Sequence, residues 1–197
     1  MLKIKTTRDV YEPAEDSFLL AKYAKKLNGR ILEIGCGCGI VSLECACSNS
    51  KNIVEGVDIN KKAVKLAREN AKENKIKNVR FYYSDFFSKV KGKFDWILFN
   101  PPYLPTAKEE KINGEINLAF DGGKSGLEKI KKFVKNASQY LKKDGGLLII
   151  ASNLTDKQKD GIEETIKILN KNGFKVDIIE EQSFFFERIA LLRAVRS

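Results

Sequence analysis

Short runs of β-branched, aromatic and aliphatic residues recur along the chain, and most are followed by a stretch with helical spacing. Residues 30–34, Arg-Ile-Leu-Glu-Ile, form the first run, and residues 39–47 carry the helical pattern after it. Residues 53–58 predict a second strand. Apolar Ala63, Val64, Leu66, Ala67 and Ala71 then fall three and four apart, the stripe of a helix over 61–74. Further strands are expected at 79–83 and 94–99, the latter stopped by Pro101-Pro102, which cannot donate to a ladder. A long amphipathic helix is expected over 127–141 and closed by Asp144-Gly145-Gly146. A fifth strand at 146–151 and a helix at 157–169, ended by Asn172-Gly173, complete the alternation. The rhythm then changes. Residues 175–180 and 184–195 are two strand patterns with no room between them for a crossover helix, so they predict an antiparallel hairpin at the sheet edge. Strands separated by helices predict an α/β fold: a doubly wound, mostly parallel, seven-stranded sheet in a single domain over 1–197. Residues 101–124 make a connection longer than usual, which suggests a functional loop expected to order over substrate.

Composition narrows the chemistry. The 197 residues include no histidine, which excludes His-dependent triads, HExxH zinc sites and imidazole proton shuttles. The net charge is +10, from 36 basic and 26 acidic residues, but only seven of the basic ones are Arg. Runs such as Lys129-Ile130-Lys131-Lys132 read as solvated helix faces around one buried residue; the competing reading is an electrostatic footprint for an RNA-bearing or acidic partner. The longest apolar run, Leu147-Leu148-Ile149-Ile150-Ala151, is far short of the roughly 20 residues that span a bilayer. Met1-Leu2-Lys3-Ile4-Lys5 lacks the apolar stretch of a signal peptide, so a cytoplasmic location and no membrane partner are expected. Cys36, Cys38, Cys45 and Cys47 are spaced C-x-C-x6-C-x-C, whereas paired zinc ligands usually stand two to four residues apart. They read as small buried apolar residues, with no metal site expected.

The first strand runs into Glu33-Ile34-Gly35-Cys36-Gly37-Cys38-Gly39. Alternate glycines allow a sharp turn and close approach of a ligand to backbone. An acid inside that turn suits a cation: Glu33 can accept from an ammonium group or attract a sulfonium. Asp58, 25 residues on, ends the second strand where an acid holds ribose hydroxyls. Asp85 ends the third, placed to accept from an adenine amino group, with Phe86 completing the slot. Three acids at three strand ends describe S-adenosylmethionine better than NAD. The fourth strand ends in Asn100-Pro101-Pro102-Tyr103. An amide or arylamine nitrogen is a poor nucleophile because its lone pair is delocalised. A site accepting hydrogen bonds from both of its N–H groups favours a pyramidal nitrogen. Asn100 supplies a side-chain oxygen and Pro101 a backbone carbonyl, the proline rings fix the direction, and Tyr103 offers a flat face.

On these residues the chain resembles class I S-adenosylmethionine-dependent amino-methyltransferases, which are Rossmann-like. More narrowly, it resembles the HemK-like release-factor glutamine methyltransferases of the eukaryotic and archaeal branch. The narrower likeness rests on Val10-Tyr11-Glu12-Pro13-Ala14-Glu15-Asp16-Ser17 within the N-terminal segment 1–28, on Asn-Pro-Pro-Tyr, on Asp121-Gly122-Gly123-Lys124-Ser125-Gly126-Leu127 and on Glu187-Arg188-Ile189. It implies methylation at N5 of the glutamine in the Gly-Gly-Gln loop of a translation termination factor. It implies cofactor contacts at Ser17, Glu33, Gly35, Gly37, Asp58, Asp85, Phe86 and Asn100. Asn100, Pro101, Pro102 and Tyr103 become the amide clamp. A small zinc-binding activator subunit in a heterodimer is implied as partner, without the bacterial N-terminal helical domain. Alternatives are methylation of adenine N6 or cytosine N4 in nucleic acid, of a protein lysine, or a non-catalytic cofactor-binding module.

Overall fold

A computed structural model describes residues 2–104, 122–155 and 159–196. The first element is a helix, α1 (Glu15–Ala24), followed by β1 (Arg30–Ile34), α2 (Ile40–Ser48), β2 (Ile53–Asp58), α3 (Lys61–Glu73), β3 (Val79–Tyr83) and β4 (Phe94–Phe99). Past residue 121 come α4 (Glu128–Ala137), a 3₁₀ turn (Ser138–Tyr140), β5 (Leu141–Ser152), α5 (Gly161–Lys171), β6 (Phe174–Ser183) and β7 (Arg188–Arg196). The seven strands form one sheet in the order β3-β2-β1-β4-β5-β7-β6. The pairs among β1 to β5 are parallel, and β7 is antiparallel to both β5 and β6. The doubly wound, mostly parallel sheet with its C-terminal hairpin is therefore as the pattern predicts. Among the described residues, no helix is long and apolar enough to cross a membrane.

Alternation along the central strands feeds two cores. Leu32, Ile97, Phe99, Leu147 and Ile149 pack with α4 and α5, while Ile31, Leu98, Leu148 and Ile150 pack with α1 and α2. Fully burying each such side chain stabilises the fold by roughly 1.5–3 kcal/mol, so covering both faces selects this layered arrangement. Glu55, buried on β2, keeps its charge because Arg30, Arg80 and Tyr82 donate to it from the flanking strands.

Several boundaries differ from expectation. The helix expected over 127–141 ends at Ala137, and Asp144-Gly145-Gly146 lies inside β5 rather than at a helix stop. There β5 bulges: Phe94 pairs with Leu141 and Trp96 with Gly146. A Cβ at Gly145 would stand 3.0 Å from the Phe94 carbonyl oxygen, so glycine serves close strand approach. Helix α5 starts later than expected because Asp160 caps it, accepting from Ile162 N at 2.9 Å and Glu163 N at 3.3 Å. Residues 184–187, expected in a strand, form the β6–β7 turn, closed by Phe184 N donating to Glu187 O at 2.7 Å. The pattern also missed α1, although Pro13 and the acidic first turn Glu15-Asp16 signal a helix start. Cys36, Cys38 and Cys45 are buried as expected, but Cys47 is exposed, because residues two apart on a helix point in different directions. The expected closure of loop 101–124 falls largely on residues 105–121, outside the described residues.

Candidate active site

The chain winds outward from β1 to β3 and returns at β4, so the sheet reverses direction between β1 and β4. In open α/β sheets the crevice outside the carboxyl ends of the strands at such a point binds ligands. Here it is a cleft of about 370 Å³. Ser17, Glu33, Gly35, Gly37, Asp58, Asp85, Phe86, Asn100, Pro101, Pro102 and Tyr103, all expected from the sequence, line this one cleft.

The turn after β1 carries Gly35 and Gly37 at φ +70° and +52°, where an L side chain is strained, and a Cβ on either would meet nothing within 4 Å. They face open cleft. Gly39, at φ +88°, has a packing role instead: its Cβ would lie 2.9 Å from Phe81 Cζ and 3.0 Å from Ala67 Cβ. Asp58 fastens the turn by accepting from Gly37 N at 2.9 Å through one oxygen and from Asn60 N at 2.8 Å through the other. Burial raises its carboxyl above the ordinary range despite these bonds.

Glu33 departs from its expected freedom. Its Oε2 accepts from Ser42 N at 3.0 Å and from the Ser42 hydroxyl, so it satisfies a donor in the first turn of α2. Burial pushes its carboxyl up to about 8. Asp85 is also engaged: Lys132 Nζ, from α4, stands 3.0 Å from its Oδ1 and 4.7 Å from the centre of the Phe86 ring. Phe86 adopts φ +48°, a left-handed conformation costing about 1–3 kcal/mol, and its ring meets Phe99 edge-on at 5.7 Å.

At the end of β4 the Asn100 side-chain oxygen is buried with no hydrogen-bond partner. Beyond the two prolines, the Tyr103 hydroxyl donates to Asp16 Oδ2 at 3.3 Å. Tyr11 donates to the same carboxylate at 3.1 Å, and Ser17 donates to Asp16 Oδ1 through N at 2.5 Å and Oγ at 3.2 Å. Burial, then the Asp16 charge, raises both phenols well above the ordinary tyrosine range. Asp16, Tyr11 and Glu187 thus line the cleft without having been assigned roles from sequence. The only local signal was an acid in a first helical turn, which ordinarily means a helix-dipole contact.

The sequence matches the family described as the methyltransferase small domain over residues 14–177. A Methanocaldococcus jannaschii chain, provisionally named a protein N5-glutamine methyltransferase, is 49% identical over 196 residues, covering 99% of this chain and 96% of that one. Methyltransferase HEMK2 of Mus musculus is 31% identical, over 85% of this chain and 81% of its own length. A release factor glutamine methyltransferase of Buchnera aphidicola is 33% identical over 77% of this chain, which spans just over half, 57%, of that relative. In fold, the chain resembles the E. cuniculi Mtq2–Trm112 complex, described as responsible for methylation of the eRF1 translation termination factor. That likeness has a TM-score of 0.69 at 22% identity and covers 96% of this chain and 99% of that one.

Proposed function

The chain belongs to the methyltransferase small-domain family, and on that premise we propose that it methylates N5 of a glutamine in a translation termination factor, using S-adenosylmethionine. The observation that carries the reading is the Asn100 side-chain oxygen, buried in the cleft and unpaired. Leaving a buried acceptor unsatisfied costs about 1–3 kcal/mol, which an incoming carboxamide N–H would recover.

The residues fit the cofactor. Gly35 and Gly37 open onto space that any side chain would fill, and the acids at the ends of β1, β2 and β3 face a cationic, hydroxyl-rich and amino-bearing ligand in turn. When bound, S-adenosylmethionine supplies an electrophilic methyl carbon on a sulfonium sulfur. Asp58, besides holding the glycine turn, would accept from ribose hydroxyls. Asp85 would accept from the adenine amino group while Phe86, with Phe99 behind it, walls the base. Ser17 would contact the cofactor from α1. Glu33, next to the glycine turn, favours the cationic end.

Asn100 Oδ1 and the Pro101 carbonyl oxygen would accept from the two amide N–H groups. These bonds strengthen as the nitrogen becomes pyramidal, so they favour the transition state over the planar ground state. Tyr103, tethered through its hydroxyl, presents its ring to the planar amide. No covalent enzyme intermediate is required, and the absence of histidine is no obstacle.

The proposal includes a small zinc-binding activator subunit, supported by the partnered E. cuniculi structure, and a cytoplasmic site of action, where termination factors work. Labelled cofactor, purified protein and a termination factor test it, with and without that subunit. Label on the Gly-Gly-Gln glutamine, located by mass spectrometry, is the expected result. Label only on a lysine, DNA or RNA assigns the clamp to those acceptors instead.

A further inference from the structure

The turn joining β6 to β7 carries two features that the methyl-transfer chemistry leaves unused. Glu187 Oε1 is the other buried oxygen without a hydrogen-bond partner among the described residues, and Glu187 lines the same cleft as Asn100. Immediately before it, Phe184, Phe185 and Phe186 are exposed at 42%, 91% and 84%, the last two rings meeting edge to face at 4.4 Å. Three consecutive exposed phenylalanines make an apolar patch that a lone soluble protein has reason to avoid.

The turn is firmly held. Phe184 N donates to Glu187 O, Asn153 N donates to Arg188 O at 2.9 Å, and Arg188 N donates to Asn153 Oδ1 at 2.7 Å. The Arg188 guanidinium pairs with Asp160 and Glu181. Since β7 is antiparallel to β5, with Ile189 opposite Ser152, the turn returns to the carboxyl edge of the parallel strands, where the cleft opens.

We propose that this turn is the outer half of the protein-substrate site. Glu187 Oε1 accepts a backbone N–H of the substrate chain beside the acceptor residue, while Phe185 and Phe186 seat against an apolar patch on the folded body that carries it. This rests on the protein-substrate reading above and adds where the substrate docks. A polypeptide fits better than a nucleic acid. Residues 184–187 include no basic side chain, Glu187 and Asp16 put negative charge at this end of the cleft, and Arg188 is committed to two carboxylates. Phenylalanine is also among the residues enriched in protein–protein interfaces.

The test compares an intact termination factor with a short peptide spanning its acceptor glutamine, using the enzyme together with its small subunit. Phe185→Ala/Phe186→Ala is expected to raise KM for the intact factor about tenfold, leaving kcat and the KM for the peptide within about twofold. Glu187→Ala is expected to raise KM for both substrates about tenfold without weakening cofactor binding. Its melting temperature should not fall, because the removed oxygen has no partner in the free protein. An unchanged KM for the factor in the double variant overturns the docking surface. So does loss of the small subunit from that variant on gel filtration with KM unmoved, which assigns the patch to the subunit. A lower melting temperature in Glu187→Ala with both KM values unchanged overturns the acceptor. If the wild type transfers no methyl to the factor, the protein-substrate reading itself fails, and the docking proposal with it.

Discussion

The Tyr103 hydroxyl donates to Asp16 Oδ2 at 3.3 Å across 87 positions of chain, so the segment that follows Asn100 is tied to the first turn of α1. Tyr11 and Ser17 donate to the same carboxylate. One buried acid therefore links a cofactor-side residue to the amide clamp. Replacing Asp16 with Ala strands these donors and is expected to cost about 1–3 kcal/mol of stability and 10–100-fold in kcat/KM. Denaturant melts and steady-state assays check this. Asp16→Asn removes the charge that helps hold both phenols high, so Tyr11 and Tyr103 should ionise at lower pH, as read by ultraviolet absorbance.

Asn100→Ala should abolish turnover while largely preserving cofactor affinity, because the lost oxygen is assigned to the acceptor amide. A loss of about 10³-fold in kcat is expected. Calorimetric titration with S-adenosylmethionine, alongside the transfer assay, separates the two quantities. Near-wild-type turnover in this variant removes the clamp from the mechanism.

Asp58→Ala should act on the cofactor first. It deletes acceptors for ribose hydroxyls and also releases the Gly37 and Asn60 amides that Asp58 now holds. Two or more charge-assisted bonds are lost, so affinity should fall by about 100-fold or more. An unchanged dissociation constant would mean that the ribose is held elsewhere.

Glu33 makes a pH prediction. An unfolded Glu titrates near 4.3, whereas burial raises this folded carboxyl to about 8. Between these values the folded protein retains a proton that the unfolded chain has lost. The stabilisation from this group is complete below about pH 4 and is lost as pH rises to about 8, with a slope of up to about 1.4 kcal/mol per pH unit. Denaturant melts of the cofactor-free protein across this window should show the decline, and Glu33→Gln should flatten it. Cofactor affinity should rise over the same range, since the ionised carboxylate favours a cation; Glu33→Gln should abolish that rise as well.

Much of the architecture was legible because it is written in short-range patterns. Strands β1 to β4 fell at the expected residues, since alternation and punctuation by glycine, proline and asparagine are local properties. The glycine turn after β1 and the Asn-Pro-Pro stop after β4 were readable for the same reason. Boundaries failed where a neighbour decides. Gly145 looks like a helix stop in sequence but is a bulge residue in β5, because the backbone of β4 passes close to it. Asp85, read as open to adenine, shares its carboxylate with Lys132 from α4, and Glu33, read as free for a cation, also caps α2.

The order of residues along the chain thus determined the α/β class, the strand ends that furnish acids, and the amide-holding motif, because each is encoded within a few positions. Only the folded arrangement decided that Tyr11, Asp16, Tyr103 and Glu187 meet at one end of one cleft. Their convergence depends on the return of β4 beside β1 and on β7 running back along β5, so that residues up to 176 positions apart become neighbours. Such long-range packing is set by the burial of both sheet faces at once, and no short stretch of sequence carries that information.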